Sequence, residues 1–99
     1  MKRSERKELK NRIKDQTQKL FGELIAELRK KADLTQEDLA YNSGIDRSFM
    51  SKLERGENSI SLQTLLRLSK ALNMAPSKIL LRFEKLLKTN NVEIPLEND

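Results

Sequence analysis

Apolar residues recur along this chain at helical spacing. Leu20, Phe21, Leu24, Ile25 and Leu28 fall at i, i+1, i+4, i+5 and i+8, the stripe of an amphipathic helix reaching about Lys31. Leu9 and Ile13 extend that stripe backwards, but Gln16 and Thr17 interrupt it. Residues 1–17 therefore read as an arm, either partly disordered or extending the first helix. The stretch LTQEDL, Leu34 to Leu39, reads as a second helix start. Thr35 is a good N-cap with Asp38 three residues on, and Leu34 and Leu39 hold the N′ and N4 positions of a hydrophobic staple. Glu37 and Asp38 suit the positive end of the helix dipole. Asn42-Ser43-Gly44 is turn chemistry, and Gly44 can take positive φ.

A third start follows at once, with Asp46 as cap and Ile45 and Met50 repeating the staple; Gly56 stops this helix after Arg55. Ser61 caps a fourth helix containing Leu62, Leu65, Leu66, Leu68 and Leu72, with Asn73 as a left-handed stop. Pro76 fits the first position of a fifth, where its missing N–H costs nothing. Ile79, Leu80, Phe83, Leu86 and Leu87 give that helix a wide apolar face. Residues 89–99 form an acidic C-terminal tail, loose or briefly extended around Val92, Ile94 and Leu96. No strand pattern competes. The expected fold is all-α, with five helices in one domain over residues 18–88.

The segment GIDRSFMSKLERGEN, Gly44 to Asn58, poses the functional question. Arg47, Ser48, Ser51, Lys52 and Arg55 share one helix face, and only Met50 and Leu53 are clear apolar anchors. Paired with the helix before it, this segment makes a helix-turn-helix over about residues 36–55. Ala40 allows close approach between the two helices. In DNA-binding versions the second helix enters the major groove, its N-terminal residues reaching base edges. An ordinary amphipathic surface helix is the plainer reading, but cap, glycine, staple and helix order all agree with the first.

Composition narrows the choice. The chain has 99 residues, no cysteine and no histidine, so disulfides, thiolate chemistry and the commonest general base and metal ligand are missing. This argues against an enzyme. No metal, cofactor or small-molecule ligand is expected. No apolar run approaches the ~20 residues of a membrane span, so no membrane partner is expected and the chain reads as cytoplasmic. The net charge of +5 is uneven: residues 1–19 hold eight Lys/Arg against three Asp/Glu. Such an arm suits a polyanion, nucleic acid before membrane, or serves as a solvated tail.

LTQEDLAYNSGIDRSFMSKLERGENSISLQTLLRLSKALNMAP resembles the Cro-type, lambda-repressor-like helix-turn-helix domain, over roughly residues 20–83. GIDRSFMSKLERG is most similar to the controller proteins of restriction–modification systems, small dimeric regulators of their own operon and of the restriction gene. Antitoxins and phage-type repressors share much of the pattern and remain the alternative. The resemblance implies a transcription regulator binding double-stranded DNA. It makes Gln36 a phosphate contact near the start of the first helix of the pair. It makes Arg47, Ser48, Ser51 and Lys52 base readers, and Arg55, Asn58 and Ser59 backbone contacts. It pairs Arg29 with Glu54, although solvated surface charges worth at most about 1 kcal/mol are the plainer alternative.

Phe49 has two open fates, core or groove edge beside a sugar or thymine methyl. Asp46 can brace Arg47 as well as cap its helix. The fifth helix carries more apolar surface than so small a domain needs. A homodimer contact through Ile79, Leu80, Leu81 and Phe83 is expected, as two-fold operator binding requires. Closure of the monomer core by the same residues is the alternative.

Overall fold

The computed structural model describes residues 1–92, so Ile94, Leu96 and the rest of the acidic tail beyond Val92 lie outside the described residues. Helices α1 (Arg3–Lys31), α2 (Gln36–Ser43), α3 (Arg47–Glu54), α4 (Leu62–Ala71) and α5 (Pro76–Thr89) follow one another with short connections. The arm extends the first helix: α1 begins at Arg3, without a side-chain cap on Lys2. Its outer half gives the molecule its long axis of 45 Å against 25 and 22 Å.

Local signals set the helix starts. Thr35 and Asp38 form a reciprocal capping box, the Asp38 N–H donating to Thr35 Oγ1 at 3.0 Å and the Thr35 N–H to Asp38 Oδ2 at 2.9 Å. Asp46 caps α3 by accepting from the Ser48 N–H at 3.2 Å, and Ser61 caps α4 from the Thr64 N–H at 3.1 Å. Pro76 opens α5.

The ends share one device. Asp33, Gly44, Gly56, Asn73 and Asn91 each take positive φ. The next residue then donates back to a carbonyl five positions earlier: Leu34 to Arg29, Ile45 to Ala40, Glu57 to Lys52, Met74 to Ser69 and Val92 to Leu87. This satisfies carbonyls that the helix leaves without partners and turns the chain sharply.

Leu24, Ile25, Leu39, Met50, Leu53, Leu68 and Ile79 are fully buried. Helix α1 packs on α3 and α5, α2 packs on α3 and α4, and α4 meets α5. Two glycines permit the closest approaches. A Cβ on Gly22 would meet the carbonyl oxygens of Leu53 and Glu54, the latter at 2.8 Å. One on Gly56 would lie 2.7 Å from Lys19 Cα. The C-terminal end of α3 and its following turn are thus pressed onto the backbone of α1. The buried hydroxyls of Ser43 and Ser69 donate to carbonyls four residues earlier, at 2.6 and 2.7 Å. No buried side-chain polar atom among the described residues lacks a partner. Among those residues no helix is long and apolar enough to cross a membrane.

Candidate nucleic-acid interface

Helix α3 is held from behind by Met50 and Leu53, both 0% exposed, and this fixes which residues look outward. Arg47, Ser48 and Lys52 are exposed and Ser51 is half-buried, all on the side away from those anchors. The four residues expected to read bases therefore share one accessible face. Arg47 borders a shallow hollow with Lys30, Thr35 and Gln36, beside the N-terminal ends of α2 and α3.

Asp46 does not brace Arg47. Its carboxylate accepts from the Ser48 hydroxyl at 2.5 Å and from the Ser48 N–H. These bonds, the hydroxyl's first and the backbone N–H of Phe49 next, hold its pKa below the ordinary aspartate range. Arg47 makes no ion pair among the described residues, so its guanidinium keeps all its donors for a ligand. Phe49 is half-buried and packs against the core, intermediate between its two expected fates.

Glu54 is the junction of the first three helices. Arg29 donates to it through Nε at 2.7 Å and Nη2 at 3.0 Å, and its Nη1 reaches the Leu34 carbonyl at 2.8 Å. The side chains of the pair are only 12% and 6% exposed, so the reading as solvated surface charges is set aside. Hydrogen bonding to Glu54, assisted by its charge and opposed by burial, raises the Arg29 pKa above its already high value. Gln36 also donates to Glu54, at 2.8 Å, so its amide faces the junction in the free protein. A phosphate contact by Gln36 would have to use its backbone N–H or follow a rotation of that amide.

A second Arg–Glu pair lies just past α3. Arg55 donates to Glu57 through Nε at 2.6 Å and Nη2 at 3.3 Å, and through Nη1 to the Ser51 hydroxyl. Both charged side chains are about half exposed. The bond to Glu57 raises the Arg55 pKa, and the same bond lowers that of Glu57. Sequence reasoning missed Glu57; the turn at Gly56 that brings it back onto Arg55 was the available signal. Asn58, half-buried, and Ser59, exposed, follow on the same connection.

The apolar face of α5 divides. Ile79 is 0% exposed and closes the monomer core, which removes it from the expected interface. Phe83 is half-buried, edge-on to Phe21 with ring centroids 5.3 Å apart. Leu80 and Leu81 remain 47% and 53% exposed. Leu62 and Leu66 of α4, absent from the expected interface, are exposed as well. A groove of about 340 Å³ lies between these helices and α1, lined by Phe21, Ile60, Leu62, Leu65, Leu80 and Phe83.

This arrangement of short helices, with a basic face on the second of a close-packed pair, defines a helix-turn-helix domain. Residues 25–79, more than half of the chain, match the helix-turn-helix family model, and the chain belongs to that family. Among curated relatives it is similar to control protein C.BamHI of Bacillus amyloliquefaciens, 36% identical over 62 residues, covering 62% of this chain and 76% of that one. Control protein C.SmaI of Serratia marcescens is 38% identical over 63 residues, covering 64% and 75%. Among solved structures, the restriction–modification controller protein C.AhdI from Aeromonas hydrophila is 41% identical, covering 62% of this chain and 92% of that one, with a TM-score of 0.60.

Proposed function

We propose that this chain is a sequence-specific transcription regulator of the restriction–modification controller type, binding a pseudo-palindromic operator as a homodimer. The observation that carries the reading is the face of α3, where Arg47, Ser48, Ser51 and Lys52 stand outward while Met50, Leu53 and the Glu54 junction fix the helix from behind. The likeness to control proteins of restriction–modification systems supports it. Its role is binding and regulation rather than catalysis, with no cofactor.

In this reading α3 lies in the major groove. Arg47, in its first turn, donates bidentately to guanine O6 and N7, a contact worth about 1–3 kcal/mol of discrimination. Ser48 turns its lone pairs outward because its own proton is held by Asp46. Arg55, Asn58 and Ser59 meet the phosphate backbone beside the reading helix. The exposed Leu80 and Leu81, with Leu62 and Leu66, form the subunit contact.

The operator is obtained by selection from a pool of random duplexes and then substituted one base pair at a time. Arg47→Ala should relax preference at one base pair in each half-site and leave the melting temperature nearly unchanged. Arg55→Ala should weaken operator and arbitrary DNA about equally, as loss of a phosphate contact does. Uniform loss by Arg47→Ala across all those sites would make it a backbone contact and overturn the assignment. Leu80→Glu should shift sedimentation towards monomer; an unaltered association constant would place the subunit contact elsewhere.

A further inference from the structure

We propose that the outer half of α1 is a second, sequence-independent DNA-contacting surface, a helical rod that lies along duplex phosphates next to the backbone-contacting turn after α3. The proposal rests on the DNA-binding reading above and adds a surface that the recognition helix does not include.

The first observation is the segregation of charge. Residues 2–14 hold seven cations against two anions. On the helix seen here, Arg3, Arg6, Lys7, Lys10 and Lys14 stand at i, i+3, i+4, i+7 and i+11, a single stripe free of acids, while Glu5, Glu8 and Asp15 gather on the opposite side with Arg12 among them. A merely solubilising segment needs no such sorting. All these side chains are exposed.

The second observation is where the rod is rooted. Gly56, at φ 77°, seats its turn against the backbone of Lys19 and Gln18. Thr17 and Gln18 share the groove that Asn58 and Ser59 line. The outer half of α1 thus leaves the domain at the connection bearing Arg55, Asn58 and Ser59. Its cationic stripe is in line with Phe21, Leu24 and Leu28, which face the domain body. The stripe therefore looks over the open space beyond that connection, and DNA held there runs past it. From Lys19 to Arg3 the helix reaches about 24 Å, or about seven base pairs of duplex.

A partner protein is the rival occupant, since Leu9 and Ile13 are only partly covered. The stems of Arg6, Lys10 and Lys14 line the same hollow as these two residues and shield them while leaving the charged heads in water. Met1, exposed, is the third apolar residue at this hollow, and three such residues, two of them half-covered, make a patch far smaller than a stable protein contact buries.

The test replaces Lys7, Lys10 and Lys14 together by Gln, which keeps helix propensity, with Lys→Arg at all three as the charge-preserving control. Binding to a labelled duplex of arbitrary sequence, about three helical turns long, is measured across a salt series. The Gln variant should lower the slope of log K on log salt by about 2 to 3 per protomer, near 0.9 per lost phosphate contact. Affinity should fall at least tenfold at low salt, with the ratio of operator to arbitrary DNA unchanged and helix content by circular dichroism retained. The Arg variant should keep the slope. An unchanged slope in the Gln variant, with the parent still binding, would overturn the proposal alone. A weaker dimer with an unchanged slope would also overturn it and assign the stripe to a subunit contact. A parent chain that binds no duplex at any salt would instead sink the DNA reading itself.

Discussion

The two halves of α1 are one continuous helix built on opposite terms. From Leu20 onward the helix buries Leu20, Phe21, Gly22, Leu24, Ile25 and Leu28; before Leu20 it buries nothing. The inner half is specified by shape, down to the missing Cβ at Gly22. The outer half is specified by propensity and sorted charge. A free helix of that length is marginal in water, but elongation from an existing helix adds one bond per residue without repeating the costly nucleus. The packed half supplies that nucleus. A basic arm can thus be ordered as a rod without any core of its own.

Damage to the inner half should be severe. Gly22→Ala places a methyl group against the Leu53 and Glu54 carbonyls, which belong to a helix end and cannot yield as a flexible side chain would. A loss of about 3 kcal/mol or more is expected, read as a fall of at least about 12 °C in melting temperature for a domain of this size. Glu54→Ala comes next, because it removes the partner of Arg29 and of Gln36 at once. Its expected cost is about 2–3 kcal/mol in urea unfolding. A cost below about 0.5 kcal/mol would return the pair to the class of surface charges.

Acid should sharpen a milder contrast, between α1, which starts without a side-chain cap, and α2 and α3, which start on carboxylates. Asp38 is held below its ordinary pKa by the Thr35 backbone N–H first and the Thr35 hydroxyl second, and Asp46 chiefly by the Ser48 hydroxyl. A lowered folded pKa means stability that is present above the unfolded value and lost as pH falls through the folded one. The urea midpoint should therefore fall gradually on the acid side of the usual carboxylate range. Asp46→Asn, which still caps, should flatten that fall; an identical profile would mean the cap charges contribute nothing. Smallest of all should be the effect of Ile13→Pro on the domain. It breaks the outer half of α1, lowering helical ellipticity and the salt slope, yet should move the melting temperature by no more than about 0.5 kcal/mol allows. Cooperative loss of the whole domain would show that the outer half carries stability after all.

The five helices were legible because their ends carry local chemistry: Thr35, Asp46, Ser61 and Pro76 at the starts, Gly44, Gly56 and Asn73 at the stops. Asp33 and Asn91 were not read as stops, since the left-handed state is open to Asx residues but not compelled by them. The outward face of α3 was legible from spacing alone. The partners of its polar atoms were not. Whether Gln36 turns to Glu54, and whether Asp46 holds Ser48 rather than Arg47, depends on how the helices cross and on side-chain reach. The same holds for α5, where a periodic stripe cannot say that Ile79 meets the core while Leu80 and Leu81 stay outside.

The pairing of the first helix with the last also has a consequence in time. Phe21 meets Phe83, and Glu27 meets Arg82 across 55 positions of sequence, so α1 acquires its α5 neighbour only after that much more chain has been made. During synthesis at about 5–20 residues per second, the apolar stripe of α1 waits several seconds with that side uncovered. The contacts among α2, α3 and α4 are local and can form meanwhile. A ribosome-bound chain in which α4 has cleared the exit tunnel while α5 is still inside should carry the helix-turn-helix pair already assembled and an opening helix still open to protease.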